Sequence, residues 1–124
     1  MIIGIGLDLC SVTRIQLLLQ DDRFLLRYFS REEQDYIHSR GAMSAASAAA
    51  CFAAKEAYAK ALGSGFEGIS PKDIGILHDE KGAPSYRLEG LALTRAQAMG
   101  VCHAHLSLSH EQGLAAAVAV LEGE

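Results

Sequence analysis

Hydrophobic residues alternate with small or polar ones over residues 2–9, at the start of the chain. The alternation runs through Ile3, Gly4, Ile5, Gly6, Leu7 and Asp8. Because successive side chains of a β-strand point to opposite faces, this period of two predicts a strand. It also places Asp8 on the face opposite the aliphatic side chains, at the C-terminal end of the predicted strand.

Three short helices are predicted after this strand. Ser11 can cap a helix that ends near residues 20–22, and a second helix covers residues 24–29. Ser30 and Glu33 match the capping box, in which a serine and a glutamate each accept a hydrogen bond from the other's backbone amide. A third helix therefore begins at this pair, and Gly41 starts a loop after it.

The longest predicted helix is rich in alanine and covers residues 44–62. Alanine, lysine, glutamate and leucine all favour helix, and Gly63 follows where a left-handed C-cap is wanted. The helix places Glu56 and Lys60 one turn apart on the same face. For an arbitrary helix, the ordinary interpretation of such a pair is an exposed ion pair that contributes little to stability.

The second half of the chain has the pattern of two hairpins and one helix. Strands are predicted over residues 74–78 and 85–88, a helix over residues 90–99, and a last hairpin with strands over residues 103–109 and 114–121. Together these elements predict an α+β fold in which an antiparallel sheet of three or more strands packs against the long alanine-rich helix and shorter helices. No repeat or linker interrupts the chain, so we expect residues 1–124 to form a single domain.

Composition excludes several classes of protein. The net charge of −4 argues against a general nucleic-acid binder, which needs a basic face. No apolar run reaches the length of a membrane span, and the first residues lack the basic flank of a signal peptide, so a cytoplasmic protein is expected. The three cysteines are far apart and form no CxxC motif, which predicts reduced, buried thiols without a disulfide or a bound metal.

The residues best suited to catalysis or ligand binding are Asp8, Glu56 and Lys60. Two carboxylates beside an ammonium group suit a Mg²⁺–phosphate site, because Mg²⁺ takes one or two protein carboxylates and fills its other positions with water and phosphate oxygens. Lysine supplies a mobile positive charge to the same phosphates. This interpretation holds only if Asp8 and Glu56 meet in space.

Three blocks of the sequence resemble the signature blocks of a known family. They are IGIGLDLCSVTRI at residues 3–15, FAAKEAYAKALGSG at residues 52–65 and HLSLSH at residues 105–110. Their order and spacing are similar to those of the holo-acyl-carrier-protein synthases, the small single-domain group of 4′-phosphopantetheinyl transferases. The resemblance implies transfer of phosphopantetheine from coenzyme A to a serine of apo acyl carrier protein in fatty acid biosynthesis, with release of 3′,5′-ADP.

The resemblance also implies roles for residues of the first and middle blocks. Asp8 and Glu56 match the family's Mg²⁺ ligands, which hold the ion against the pyrophosphate of coenzyme A. Lys60 matches the lysine that contacts the same phosphates, where it would stabilise or protonate the leaving group. Ser64 and Gly65, just past the end of the helix, would lie along the nucleotide.

Three further residues receive roles only through the resemblance. His105 matches a coenzyme-binding residue, although a strand histidine with a satisfied partner is the alternative. Asp35 aligns with an acid proposed to activate the attacking serine, and a solvated helix acid is the alternative. Arg14 matches an arginine that docks the acidic carrier protein. Family members of this size are usually homotrimers with coenzyme A bound between subunits.

The match has departures that leave alternatives open. Cys51 stands where an arginine is common, residues 41–54 contain no basic residue, and Ala83 replaces a frequent lysine. We expect weaker coenzyme binding or compensation by Arg40, by Lys55 or by a neighbouring subunit. The alternatives to the transferase of fatty acid synthesis are the same transfer to a polyketide or peptide-synthetase carrier domain, and a non-catalytic module that binds coenzyme A or a carrier.

Overall fold

The computed structural model describes residues 1–124, which form five strands, five helices and two short 3₁₀ turns. The strands are β1 Ile2–Ser11, β2 Ile74–His78, β3 Pro84–Leu88, β4 Val101–Glu111 and β5 Leu114–Gly123. The helices are α1 Val12–Leu18, α2 Asp22–Tyr28, α3 Arg31–Ser39, α4 Ser44–Leu62 and α5 Gly90–Ala98. The 3₁₀ turns are Gly41–Met43 and Pro71–Asp73.

The strands form two antiparallel sheets. The larger has the order β1-β5-β4, and β2 pairs with β3 in a separate hairpin. In the larger sheet Asp8 lies opposite Ala117, which in turn lies opposite Leu108. The α+β fold and the bounds of α4 are confirmed, as is the capping box, in which Ser30 accepts from the Glu33 amide and Glu33 accepts from the Ser30 amide.

Helix α4 packs directly against one face of the larger sheet, which we call the inner face. Small residues line that face under the helix, where Gly4 and Gly6 of β1 lie beside the buried alanines of β5, which are Ala115, Ala117 and Ala119. A Cβ atom added at Gly6 would lie 1.8 Å from the carbonyl oxygen of Ala57. The glycines of the alternating N-terminal pattern therefore mark the place where the strand and helix backbones meet.

The opposite face of the sheet, which we call the outer face, carries large aliphatic side chains without cover. Ile5, Leu7 and Leu9 are 61%, 60% and 63% exposed. Val118 and Val120 of β5 lie opposite Leu7 and Ile5 on this face and are only partly buried. An exposed apolar face of this kind is more often an interaction surface than a surface that stays in contact with water. Separately, none of the helices is long and apolar enough to cross a membrane.

Several sequence predictions need correction. The last hairpin is longer than predicted, because only Gln112 and Gly113 form its turn, with φ angles of 50° and 79°. Two positive φ angles match the twist of the flanking strands, as in a type I′ turn. His110 therefore belongs to β4 and not to the turn. Cys102 is also exposed, unlike Cys10 and Cys51, which are buried as predicted.

Candidate functional site

The inner face of the sheet brings Asp8 and Lys60 into contact. The Lys60 ammonium lies 2.9 Å from a carboxylate oxygen of Asp8 and donates to the backbone carbonyl of Leu7 at 3.0 Å. Asp8 points toward α4 because it shares the strand face of the glycines, so the close approach of β1 to the helix sets this distance. The lysine stays accessible, with 55% of its side chain exposed.

Glu56 borders the same pair without joining it. The expected i, i+4 ion pair between Glu56 and Lys60 is not formed, because Lys60 is bonded to Asp8 instead. Partial burial raises the pKa of Glu56, and the nearby charge of Asp8 raises it further, whereas Lys60 and Arg14 lower it. The two carboxylates are thus close enough to influence each other's charge, with positive charge close by.

This arrangement fits a Mg²⁺ ion. A hard cation bound between Asp8 and Glu56 would relieve the repulsion that raises the pKa of Glu56. No group of three or more histidine, cysteine or acidic side chains gathers anywhere in residues 1–124. A site of two carboxylates suits Mg²⁺, which leaves its remaining positions to water and phosphate, better than it suits zinc, which takes three or four protein ligands.

Arg14 lies close enough to this cluster to affect its charges. Its backbone amide donates to Ser11, the N-cap of α1, at 3.2 Å. Its guanidinium group stacks over the ring of Phe52, 5.6 Å from the ring centroid, and lowers the pKa of Glu56. The residue that the resemblance assigns to carrier docking therefore borders the proposed site of chemistry.

Ser64 and Gly65 lie just beyond the C-terminus of α4, one turn after Lys60. The helix ends at Gly63, which has a left-handed φ of 83° and whose amide donates to the carbonyl of Lys60. The exposed hydroxyl of Ser64 accepts a hydrogen bond from Arg95 of α5 at 3.2 Å. These two predicted coenzyme contacts are consequently near Lys60 along the chain.

His105 and Asp35 are not brought to this cluster by any contact within one chain. His105 is on the outer face of the sheet, where its Nε2 atom lies 2.9 Å from a carboxylate oxygen of Glu122. That hydrogen bond lowers the pKa of Glu122. Asp35 is 67% exposed on α3 and pairs with Arg31 one turn earlier. The roles assigned to these two residues stay predictions.

A separate cavity of about 220 Å³ lies between α3, α4 and the ends of β2, β3 and β4. One wall is an aromatic stack of Tyr36 and His78, with ring centroids 3.9 Å apart, and the Arg40 guanidinium lies 5.7 Å from the centroid of the tyrosine ring. His110 also lines it. Sequence reasoning missed this cavity, since its walls come from distant elements and no local pattern joins them.

The cavity is near the carboxylates without including them. Leu108, which lines it, is separated from Asp8 by a single strand, through Ala117 of β5. Two strand spacings amount to about 10 Å. Ala117 is 1% exposed beneath α4, so the packed helix closes the direct path between the cavity and Asp8 within one chain.

Cys51 and Lys55, which were named where the sequence departs from the family pattern, are both buried. Cys51 is 1% exposed, and burial raises the pKa of its thiol to about 12. Lys55 is bonded to Glu33 and to the carbonyl oxygens of Pro71 and Ile74. The expectation that Lys55 could replace the missing arginine is therefore wrong, because it has no donor left for a ligand. Arg40 stays available.

Comparison with known proteins agrees with these features. The sequence model of the 4′-phosphopantetheinyl transferase superfamily matches residues 4–119. A holo-[acyl-carrier-protein] synthase from Treponema denticola is 45% identical over 123 residues, which cover 99% of this chain and 100% of that protein.

Solved structures of similar proteins have the same fold. The holo-[acyl-carrier-protein] synthase from Neisseria meningitidis gives a TM-score of 0.88 at 37% identity and covers 98% of this chain and 99% of its own. The corresponding synthase from Helicobacter pylori, solved in complex with coenzyme A, gives a TM-score of 0.82 at 31% identity and covers 95% and 99%. The match to residues 4–119 and these full-length similarities show that the chain belongs to the 4′-phosphopantetheinyl transferase superfamily.

Proposed function

We propose that this protein transfers the 4′-phosphopantetheine group of coenzyme A to a serine of apo acyl carrier protein, giving the holo form and 3′,5′-ADP. The observation that carries the proposal is the contact between Lys60 and Asp8 with Glu56 beside it. It is supported by the holo-[acyl-carrier-protein] synthases that the chain resembles over nearly its whole length, one of which was solved with coenzyme A.

Asp8 and Glu56 would hold Mg²⁺, which when bound neutralises charge on the phosphates during phosphoryl transfer. Lys60 lies between Asp8 and solvent, so its ammonium can move from the carboxylate to a phosphate oxygen with little rearrangement. There it stabilises the negative charge that develops on the leaving 3′,5′-ADP. Held by the carbonyl of Leu7 as well, the lysine is oriented before the substrate arrives.

We further propose that coenzyme A lies between two subunits, with its phosphates at the carboxylates of one subunit and its nucleotide toward the cavity beside Tyr36 of the next. Ser64 and Gly65 border the phosphate end, while Arg40 supplies the positive charge that residues 41–54 lack. Exposed His105 contacts a coenzyme molecule bound across a subunit boundary. Replacing Arg40 with methionine is expected to weaken binding of coenzyme A more than binding of its 3′-dephospho form, as measured by calorimetry.

The proton of the attacking serine needs an acceptor, and Asp35 is the proposed one, directly or through water. Its exposed position on α3 leaves it open to a docked carrier protein. Arg14 is the proposed docking residue, because a positive side chain beside the cluster would orient an acidic carrier. Replacing Asp35 with asparagine should reduce kcat and leave the KM for coenzyme A unchanged if this role is correct.

The outer sheet face supports a homotrimer. Three adjacent aliphatic side chains that are each more than half exposed would be covered if the faces of three subunits met. A Leu7→Glu variant should then sediment as a monomer, whereas a Leu26→Glu variant on α2, where a leucine is also exposed, should keep the size of the unaltered protein. A cytoplasmic location and a role in fatty acid biosynthesis belong to the same proposal.

Intact-mass spectrometry tests the reaction directly. Apo acyl carrier protein is incubated with this protein, coenzyme A and Mg²⁺, and EDTA is added in a parallel sample. The expected result is a mass gain of one phosphopantetheine that EDTA and the Glu56→Ala variant both abolish. Activity that persists in the Glu56→Ala variant would contradict the metal-ligand role of Glu56, provided that circular dichroism shows the same fold for both proteins.

The absence of basic residues from 41–54 favours one alternative, a non-catalytic module that binds coenzyme A or a carrier. It predicts that calorimetry detects coenzyme binding while no carrier gains mass. A panel that includes polyketide and peptide-synthetase carrier domains separates the remaining alternative, the same transfer to a different carrier. Preference for such a domain over the carrier of fatty acid synthesis would change the proposed substrate and leave the chemistry as it is.

A further inference from the structure

The segment of residues 63–68, which follows α4, has a backbone that is easily deformed. Gly63, Gly65 and Gly68 adopt φ angles of 83°, 63° and 73°, all in the left-handed region. Glycine has access to many other backbone conformations, so holding three of them in place has an entropic cost. Among residues 63–65, the backbone amides of Gly63 and Gly65 alone donate to carbonyl oxygens of α4.

Arg95 of α5 makes the only side-chain hydrogen bond to this segment. Its Nη1 atom donates to the hydroxyl of Ser64 at 3.2 Å. On the far side of the guanidinium group, Nη2 lies 3.4 Å from the point where a Cβ atom of Gly68 would stand. The guanidinium group thus binds the start of the segment and leaves no free space beside Gly68 at its end.

Arg95 has no acidic partner. Arg23, Arg31 and Arg87 each lie within 4.0 Å of a carboxylate, whereas Arg95, like Arg14, Arg27 and Arg40, forms no ion pair. Attraction to the carbonyl end of α4 can account for a positive charge at this position. It does not account for the directed hydrogen bond to Ser64.

We propose that Arg95 is a positioning residue for coenzyme recognition, which holds residues 63–68 in one conformation before coenzyme A binds. This inference rests on the proposed function, in which Ser64 and Gly65 border the coenzyme. A segment that is already ordered loses less conformational entropy when the ligand arrives. The consequence is a lower KM for coenzyme A with little change in kcat, because the same ordering serves the ground state and the transition state.

Three variants test the proposal. Arg95→Met removes the guanidinium group and keeps a long aliphatic side chain, Arg95→Lys keeps the charge without the planar fork, and Ser64→Ala removes the acceptor. The expected result for Arg95→Met is a KM for coenzyme A about three- to tenfold higher with kcat changed less than about twofold. Arg95→Lys should recover only part of this loss. The double variant with Ser64→Ala should lose no more order in residues 63–68 than Arg95→Met alone, although its KM can rise further because Ser64 also borders the coenzyme.

Two measurements separate positioning from other roles. Nuclear magnetic resonance order parameters for the amides of Gly63, Gly65 and Gly68 should fall in Arg95→Met without any ligand present. The matched control is Lys72→Met, which removes one exposed positive charge that makes no side-chain hydrogen bond, and it should change neither KM nor the order parameters. Should Arg95→Met fail to fold, Ser64→Ala carries the test through the order parameters of residues 63–68 measured without ligand, which a direct contact of Ser64 with the coenzyme does not affect.

An unchanged KM overturns the proposal. So does a raised KM with unaltered order parameters, which would make Arg95 a direct ligand contact, and so does a further loss of order in the double variant. Failure of the proposed function is distinct, because it appears as absence of transfer by the unaltered protein. In that event the dissociation constant for coenzyme A replaces KM in the same comparison, and absence of any coenzyme binding overturns the inference as well.

Discussion

Two lysines of α4 each pair with a carboxylate, and the two pairs differ in almost everything else. The ammonium of Lys55 lies 2.9 Å from Glu33, and their side chains are 1% and 2% exposed. The ammonium of Lys60 lies at the same distance from Asp8, yet its side chain is 55% exposed. Five residues along a helix correspond to a rotation of about 140°, so Lys55 faces the interior around α3 and β2 while Lys60 faces β1.

Burial explains why these two pairs have different uses. Lys55 donates to two backbone carbonyls besides Glu33, and Glu33 accepts from the amides of Ser30 and Ile76. A buried pair must be saturated in this way, because any unmet charge is expensive, and it therefore cannot exchange partners. The pair of Lys60 and Asp8 remains in contact with water, so either partner can turn to a phosphate or a metal ion at low cost.

The largest expected effect on the free energy of unfolding comes from breaking the buried pair. Lys55→Met leaves the Glu33 carboxylate buried without a counter-charge, which should cost about 3–5 kcal/mol. Urea denaturation followed by circular dichroism measures the loss. Adding Glu33→Gln in a double variant removes the unpaired charge and should restore part of the stability. A loss below about 1 kcal/mol in the single variant would show that water reaches this pair and that the comparison is wrong.

The second-largest effect should come from forcing β1 away from α4. The close packing of these two elements holds together the exposed pair of Lys60 and Asp8, called the open pair below. Gly6→Ala places a Cβ atom against the carbonyl oxygen of Ala57, and such overpacking typically costs about 1–3 kcal/mol. Because the strand must shift, Asp8 should also move away from Lys60, and stabilisation by added Mg²⁺ should be lost. The control is Gly113→Ala in the last hairpin, which strains a φ of 79° but contacts nothing there. It should lower stability and preserve the Mg²⁺ effect.

Sequence patterns predicted local elements well, and the physical reason is that each of those elements is determined by neighbouring residues. The bounds of α4 follow from helix formers that end at Gly63, and the capping box of Ser30 and Glu33 is a contact over three residues. The second use of Glu33, as the partner of Lys55, was not predicted. That contact depends on how α3 packs against α4, which no local pattern specifies.

The same limit applies to the site. Asp8, Glu56 and Lys60 could be identified because they lie in recognisable blocks, yet the partner that periodicity suggested for Lys60 was Glu56, whereas the structure pairs it with Asp8. The cavity of Tyr36 and His78 had no signal at all, since its stacked rings come from α3 and β2. Sequence patterns thus identified residues that are suited to catalysis or ligand binding, and the packing of β1 on α4 determined which of them touch.

The third effect concerns the open pair itself and should be small for stability. Lys60→Met removes an exposed ion pair, which is expected to change the free energy of unfolding by less than about 1 kcal/mol. Transfer to the carrier should nevertheless fall about 10²–10³-fold, because the charge on the leaving group loses its stabiliser. Steady-state kinetics alongside urea denaturation gives both numbers. Lys60→Arg keeps the charge, so its transfer rate should lie between those of the unaltered protein and Lys60→Met. An unaltered kcat in Lys60→Met would contradict the role of Lys60.

The smallest effect is expected at Glu56, and it should have the opposite sign. Burial and the charge of Asp8 raise the pKa of Glu56 above its usual range, so the folded protein binds its proton more tightly than the unfolded chain does. Stability linked to this group is therefore greatest below the ordinary glutamate pKa and declines as the pH rises through the folded value. Glu56→Gln should accordingly stabilise the protein at pH 7, by less than about 1 kcal/mol, and the gain should disappear in acid.

Mg²⁺ should reverse the relative stability of the unaltered protein and the Glu56→Gln variant. With Mg²⁺ bound between Asp8 and Glu56, the ionised carboxylate becomes favourable, so the unaltered protein should gain thermal stability from the ion and Glu56→Gln should gain none. The gain of the unaltered protein should also fade as the pH drops through the raised pKa of Glu56, because protons then compete with the metal. Thermal denaturation across pH, with Mg²⁺ or with EDTA, measures both trends. An equal Mg²⁺ effect in the two proteins would place the ion elsewhere, and the open pair would then be no more than a surface ion pair.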